Sequence, residues 1–304
     1  MNAAIKEDGE EEVMLCASCG IAGGDDIKLK KCTACHLVRY CSVKCQKDHR
    51  PKHKRECKKK AAELRDEILF KQPESTHLGD CPICCLPLPL DPDQSTLNTC
   101  CCKEICQGCN CANIRREAEG RLRHKCAFCR KDLPAPEEVD ELLMKRIEVN
   151  DPVAMYYMGL RSYEKGDRTA AFDYWTRAAA LRDVGAHYQL SCLYREGNGV
   201  EKDEKKEQHH LTEAAIGGKP DARHNLAIIE MNNGRMDRAA KHWIIAAKLG
   251  DDESMELVKD LYRAGHVSKD DVSAALRGHR AAIDATKSPQ REEAAKVMMQ
   301  AYAS

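Results

Sequence analysis

Eighteen of the chain's 19 cysteines lie between Cys16 and Cys129, and their spacing is the feature most able to do chemistry. The first run is Cys16-x2-Cys19-x12-Cys32-x2-Cys35-x5-Cys41-x3-Cys45-x7-His53-x3-Cys57. Zinc takes four soft ligands at tetrahedral corners, and a Cys-x2-Cys knuckle offers two thiolates on one tight turn. Eight ligands in four pairs suffice for two closed sites. A closed site keeps no position for a catalytic water, so its chemistry is structural. The second run is Cys81-Pro82-Ile83-Cys84, then Cys100-Cys101-Cys102, Cys106-x2-Cys109 and Cys126-x2-Cys129. Four pairs again imply two structural zincs, most simply cross-braced. Cys81, Cys84, Cys106 and Cys109 then hold one metal, and the second and fourth pairs hold the other. Cys85, Cys111 and one of the triplet are spare thiols.

The remaining composition narrows the field. Residues 1–12 are acidic and lack an apolar core, so they read as a short solvated tail and not as a secretory signal. Without such a signal, so many thiols are expected in the reducing cytosol or nucleus, where zinc is the usual reason for paired cysteines. Cytoplasmic and/or nuclear placement follows, and Lys52 to Lys60 also reads as a nuclear signal. Basic and acidic residues balance at 49 each, giving no net field toward nucleic acid or membrane. No stretch approaches the roughly 18 apolar residues of a membrane span. Three Phe, two Trp and nine Tyr exclude a large β-sandwich or barrel. No phosphate loop, hydrolase serine elbow or open metal site is present, so no catalytic residue is assigned.

The phrase Tyr40-Cys41-Ser42-x2-Cys45-Gln46, followed by His53-Lys54-x2-Cys57, resembles a MYND finger. That resemblance implies an interleaved pair of sites: Cys16, Cys19, Cys41 and Cys45 on one zinc, and Cys32, Cys35, His53 and Cys57 on the other. His36 and His49 are expected in solvent. MYND fingers usually bind short proline-rich peptides beside an aromatic, normally Trp, near Gln46. Here that position is Arg50, a departure that leaves the zinc fold intact but removes the aromatic wall of the ordinary peptide groove. From Val13 to Lys60 there are 13 Lys/Arg and four Asp/Glu. With the two metal centres counted, the module carries roughly +6. Only Tyr40 could stack on a base, so a solvated or protein-facing basic surface is favoured over a nucleic-acid site.

The second run resembles an all-cysteine RING finger. Cys100 with Cys102 obeys the usual knuckle spacing. Cys100-Cys101 followed by four residues to Cys106 resembles a variant of all-cysteine RINGs and is the preferred pair. RING fingers commonly recruit a ubiquitin-conjugating enzyme and supply a groove, not a nucleophile. The resemblance places Ile83, inside the first knuckle, at that groove and makes Arg130, after the last cysteine, the linchpin. Ala127, which stands where the last knuckle normally carries Pro, is the third expected contact for that enzyme. Ile114 and Leu122 stand where an aromatic is often found.

From Asp151 onward the chain repeats itself. Ala154, Ala186, Ala222 and Ser254 recur at spacings of 32, 36 and 32. Behind them come Trp175-x2-Ala178-Ala179, Leu211-x2-Ala214-Ala215, Trp243-x2-Ala246-Ala247 and, weaker, His279-x2-Ala282. Small pairs let helices approach closely, and a large apolar residue three positions earlier fills the gap. Glycines at 166, 197, 199, 234 and 265 mark the turns. A helix-turn-helix unit of this length cannot bury its own face, so stacked copies form an α-solenoid. The segment from Ala186 through Leu193-Tyr194-x2-Gly197-x-Gly199-Val200 to Ala214-Ala215 resembles a Sel-one-like repeat, a relative of the tetratricopeptide repeat. Such arrays usually scaffold other proteins.

The expected fold is therefore two small zinc-stabilised fingers with little regular structure, followed by an all-α helical-repeat solenoid. The domains run 1–12 (tail), 13–57 (MYND-type finger), 58–78 (helical linker), 79–134 (RING-like finger), 135–150 (helical linker), 151–286 (repeats) and 287–304 (helical tail). Ordering about 50 residues per finger costs on the order of 1.5 kcal/mol each, which their apolar content cannot offset. A structural zinc contributes roughly 10–16 kcal/mol. Chelation is thus expected to unfold residues 16–129 and spare the solenoid. The function expected is protein binding through zinc modules and repeats, with a RING-type ubiquitin ligase as the sharper reading and a non-enzymatic adaptor as its alternative.

Overall fold

The computed structural model describes residues 14–303; the acidic run 1–12 and Val13 lie outside the described residues. The chain divides between Leu69 and Phe70 into two compact units.

The first unit holds a two-stranded antiparallel ribbon, β1 (Lys30–Lys31) against β2 (Arg39–Tyr40), and one long helix, α1 (Val43–Leu69). Cys16, Cys32, Cys35 and Tyr40 form its buried cluster, and His53 and Leu69 are buried on the helix. Thiols and an imidazole thus stand where an apolar core would be. Helix α1 runs without a break across residues 57 and 58, the division drawn between finger and linker. Its Lys, Arg, Glu and Ala content is strongly helix-forming, and nothing in that stretch tells the chain to stop.

In the second unit an antiparallel hairpin pairs β3 (Ser95–Asn98) with β4 (Lys103–Cys106), and Asn98 faces Lys103 across its tip. Helix α2 (Gln107–Glu119) follows at once, its first turn capped by the Cys106 sulfur accepting from the Cys109 N–H. A short helix α3 (Val139–Glu148) leads to the repeats. These are α4 (Pro152–Glu164), α5 (Arg168–Ala180), α6 (Val184–Glu196), α7 (Glu204–Ile216), α8 (Pro220–Asn232), α9 (Met236–Lys248), α10 (Asp252–Arg263) and α11 (Lys269–Ala285). A last described helix, α12, spans Pro289–Ala303.

Each repeat helix packs against the next, and α9 also against α11. The recurring small residues Ala154, Ala186, Ala222 and Ser254 are all fully buried, one in the first helix of each pair. Trp175, Leu211 and Trp243 are buried in the second helices. The close approach is measurable at Gly159, where an added Cβ would lie 2.3 Å from the Trp175 ring nitrogen. That nitrogen donates to the Tyr156 carbonyl at 3.1 Å. The weaker fourth match differs in kind: His279 is tied to the Asp252 carboxylate at 2.9 Å instead of filling an apolar gap.

A second periodic signal sits three residues ahead of the small ones. Asp151, Asp183 and Asp251 each accept a hydrogen bond from a backbone N–H of the first turn that follows. These are N-caps, satisfying donors that the helix itself cannot. In the third copy Lys219 replaces the Asp and Pro220 begins the helix, removing one of those donors.

Candidate metal centres and the surface around them

Four groups of four side chains each bring their ligand atoms within 4.8 Å of one another. The first unit holds Cys16, Cys19, Cys41 and Cys45 in one group, and Cys32, Cys35, His53 and Cys57 in another. Helix α1 serves both. Its first turn carries Cys45, and His53 and Cys57, one turn apart on one face, reach the other group. The second unit holds Cys81, Cys84, Cys106 and Cys109, and separately Cys100, Cys101, Cys126 and Cys129.

Their spacing tests whether zinc fits. Four sulfurs at about 2.3 Å from a tetrahedral centre lie roughly 3.8 Å apart. Across the pairs the sulfurs are 3.6 Å apart for Cys19–Cys41, 3.7 Å for Cys32–Cys57, 3.8 Å for Cys84–Cys106, 3.5 Å for Cys100–Cys129 and 3.9 Å for Cys101–Cys126. The Cys35 sulfur and His53 Nε2 are 3.2 Å apart. A disulfide needs about 2.05 Å, so these thiols are gathered without being bonded. The donor sets, three or four thiols with at most one imidazole, suit zinc. Four ions are accommodated, each in a closed set.

The electrostatics agree. Hydrogen bonding from the Cys19 backbone N–H holds the Cys16 thiol near a pKa of about 6, while its neighbour Cys41 is pushed up to about 12 by hydrogen bonds to Cys45 and Cys19. Burial, and then the hydrogen bond to Cys32, lift Cys57 to about 12. Burial also drives Cys100 and Cys109 upward. Crowded thiols cannot all ionise together; a divalent cation supplies the charge that lets them.

One local geometry recurs in four of the five Cys-x2-Cys knuckles. The residue after the second cysteine returns its N–H to the carbonyl of the first: Gly20 to Cys16, His36 to Cys32, Cys85 to Cys81 and Arg130 to Cys126, at 2.8 to 3.1 Å. All four residues have positive φ, from 55° to 73°. The turn folds the chain back on itself, and three knuckles are closed by isolated antiparallel bridges at Leu15–Ala22, Asp80–Pro87 and Lys125–Asp132. Cys85 and His36 thus occupy turn positions, exposed and outside the ligand groups. His49 is not free in solvent: it is half-buried, stacked on His53 and hydrogen-bonded to the Tyr40 hydroxyl at 3.0 Å. Arg50 lies exposed on α1.

The Cys100-Cys101-Cys102 run forms the tip of the β3–β4 hairpin. Cys100 and Cys101 turn toward Cys126 and Cys129. Cys102, with φ of 50°, turns the other way and is buried with Leu143, Ile147, Ala154 and Met158. The second cysteine module therefore shares a core with the first repeat, a continuity the domain division at 134/135 does not anticipate. Tyr157 of α4 reinforces it by donating to the Glu104 carboxylate of β4 at 3.3 Å.

Around this module several apolar side chains stay open. Ile83 of the first knuckle is 42% exposed, Ile114 of α2 43% and Phe128 of the last knuckle 41%. Leu122 is also exposed. Ala127 is buried at 8% beside Cys81, Leu88, Ile105, Cys106 and Cys109, so the residue of that knuckle open to a partner is Phe128 and not Ala127. In the sequence Phe128 has no signal beyond its place inside the knuckle, two residues after Cys126. Arg130 is exposed and donates to Asn113 Oδ1 on α2 at 2.6 Å, while Asn113 Nδ2 donates to the Lys125 carbonyl at 3.1 Å. Asn113 thereby fastens the last knuckle to α2 next to Ile114.

Comparison with known proteins agrees with the first module. The MYND finger family matches residues 16–57. The human histone-lysine N-methyltransferase SMYD3 is 58% identical over 31 residues, 10% of this chain and 7% of that protein. The putative beta-lactamase HcpC of Helicobacter pylori is 38% identical over 56 residues, 18% of this chain and 19% of that protein. The chain thus spans only 7% and 19% of the length of these relatives. Among solved structures, a Sel1 repeat protein from Oxalobacter formigenes aligns with a TM-score of 0.42 at 22% identity, over 59% of this chain and 74% of that one. A protective antigen of uropathogenic Escherichia coli with an SLR fold, c5321, aligns with a TM-score of 0.41 at 26% identity, over 49% and 33%.

Proposed function

We propose that this protein is a RING-type ubiquitin ligase, in which the second cysteine module recruits a ubiquitin-conjugating enzyme and the repeats or the MYND finger hold the substrate. The carrying observation is the arrangement around α2. The first knuckle, with exposed Ile83, shares a ligand group with Cys106 and Cys109 at the start of that helix. The last knuckle, with exposed Phe128, is tied to Asn113 in its middle. Both knuckles are thereby braced against the helix that carries Ile114, and a preformed groove requires such rigid support. Such a ligase contributes position and no nucleophile, and no other chemistry is asked of this chain. Arg130 spends one of its donors on Asn113 and retains others for a ubiquitin tail.

A non-enzymatic adaptor is the second reading, and one observation favours it. Helix α12 packs along α2, so part of the helix that would serve a partner is already covered by this chain. Discharge of ubiquitin from a panel of preloaded conjugating enzymes by zinc-replete protein separates the two. Under the ligase reading discharge is stimulated, and Ile83→Ala and Phe128→Ala each reduce it about tenfold or more while four zincs remain bound, an effect of the size expected for interface anchors. No stimulation across a broad panel by folded, four-zinc protein assigns the chain to adaptors.

A further inference from the structure

Helix α12 enters the second cysteine module through one side chain. Arg291 is only 8% exposed, although it belongs to a polar helix. Its guanidinium donates to the Cys84 sulfur at 3.4 Å and the Leu86 carbonyl at 3.1 Å through one nitrogen. Through another it donates to the Pro87 carbonyl at 2.7 Å and the Thr286 carbonyl at 2.8 Å. Three of these four acceptors belong to the first knuckle and the segment leaving it. The fourth ends α11, so the arginine joins the knuckle to the end of the repeats.

The rest of the helix is fitted to this insertion. Gln290 donates to the Gly108 carbonyl at 3.1 Å, and Arg115 pairs with Glu293 at 3.4 Å. A Cβ at Gly108 would lie 2.8 Å from Arg291 Cγ and 3.0 Å from its Cα. A glycine at the second position of α2 is therefore what lets α12 come close enough for the guanidinium to reach Cys84.

We propose that Arg291 is a positioning residue of the Cys81–Cys84–Cys106–Cys109 centre, holding the first knuckle from outside and partly neutralising the charge of its four thiolates. A four-thiolate zinc centre carries a net charge of −2. A buried guanidinium donating to one of its sulfurs offsets part of that charge, and its carbonyl contacts fix the backbone that aims both cysteines. Partners of this outer kind are typically worth 10- to 100-fold in metal affinity. The other three ligand groups show no arginine bonded to a ligand sulfur among the described residues, so the effect is confined to one ion in four.

The test is zinc release from the full-length, four-zinc protein to excess chromogenic chelator, with alkylation of each cysteine followed by mass spectrometry to identify the opening site. Arg291→Met is expected to speed release of one ion 10- to 100-fold, with early alkylation of Cys81, Cys84, Cys106 and Cys109 and the other three ions retained. Arg291→Lys keeps the charge but cannot reach four acceptors, and is expected to fall between Arg291→Met and the parent. Gly108→Ala, which displaces the arginine without changing it, should reproduce the loss at the same site. The proposal is overturned if the Arg291→Met trace overlays the parent, or if the variants loosen all four ions alike. Neither result depends on ubiquitin transfer, so failure of the ligase reading leaves this one standing.

Discussion

Three adjacent cysteines have two fates because of one dihedral. The tip of the β3–β4 hairpin offers Cys100 and Cys101 to a ligand group, and left-handed Cys102 is sent into the apolar core beneath the first repeat. Sequence spacing could count the spare thiol but not choose it, because either pairing satisfies zinc and only the path of the hairpin decides. Burial raises the Cys102 thiol to about 11, so it is a neutral core side chain at physiological pH. Native mass spectrometry should therefore find three zincs in Cys101→Ser and four in Cys102→Ala. The second variant should instead lower thermal stability, by about 1 kcal/mol for a small buried side chain cut back to Ala. Loss of an ion from Cys102→Ala would reverse the assignment.

Within elements, the repeats were legible because their rule is local. A small residue in one helix and a large one in the next recur 21, 25 and 21 residues apart, and Ala154, Ala186 and Ala222 are fully buried as that rule requires. The Asp N-caps three residues earlier obey an equally local rule and could have been read with it. Gly159 carries the sharpest consequence. Replacing a mid-helix glycine by alanine ordinarily stabilises a helix by about 0.5–1 kcal/mol. Here the new methyl would meet the Trp175 ring at 2.3 Å, and overpacking a core costs typically 1–3 kcal/mol. Gly159→Ala is thus expected to lower the melting temperature of the repeats, whereas Gly166→Ala, in an open turn with φ of 85°, should be costly only through its backbone. A raised melting temperature for Gly159→Ala would show that Trp175 can move aside. What sequence could not supply was the partner of an element. Arg291 sits in a helix that reads as solvated, and no local pattern points to an acceptor 207 residues away.

On the scale of the molecule, the second cysteine module and the repeats are one compact unit, Phe70–Ser304. Chelation should therefore not spare the repeats, as composition alone suggested: metal removal opens the module around Cys102 and α2 and should lower the melting temperature of α4–α11 by several degrees, read by circular dichroism. An unchanged repeat transition would show the shared core to be dispensable. Acid acts on the same unit through His77, whose Nε2 lies 3.4 Å from the Lys219 amine on the turn between α7 and α8. Burial, and then Lys219, hold its pKa down at about 3, outweighing Asp221. The unfolded chain takes up this proton near pH 6.5, and the folded chain only near 3. Stability from His77 is therefore complete above about pH 6.5 and declines as the pH falls toward 3. His187 and His210, also depressed by burial, act in the same sense. Between pH 7 and 5 the His77 share is at most about 2 kcal/mol, and His77→Gln should flatten the fall in unfolding free energy, read by denaturant titration, by that much. Parallel curves for the two proteins would remove His77 from the account.

The bond from Arg291 to Cys84 also sets an order of events during synthesis. At roughly 5–20 residues per second, the ribosome finishes the first knuckle some ten to forty seconds before it makes the arginine that completes it. In that interval four thiols of one centre wait without their outer support, open to oxidation, exchange or a mismatched metal. A chain that must bind its ion first and secure it last gains from pausing little over those two hundred residues, and its weakest moment falls while the repeats are still being made.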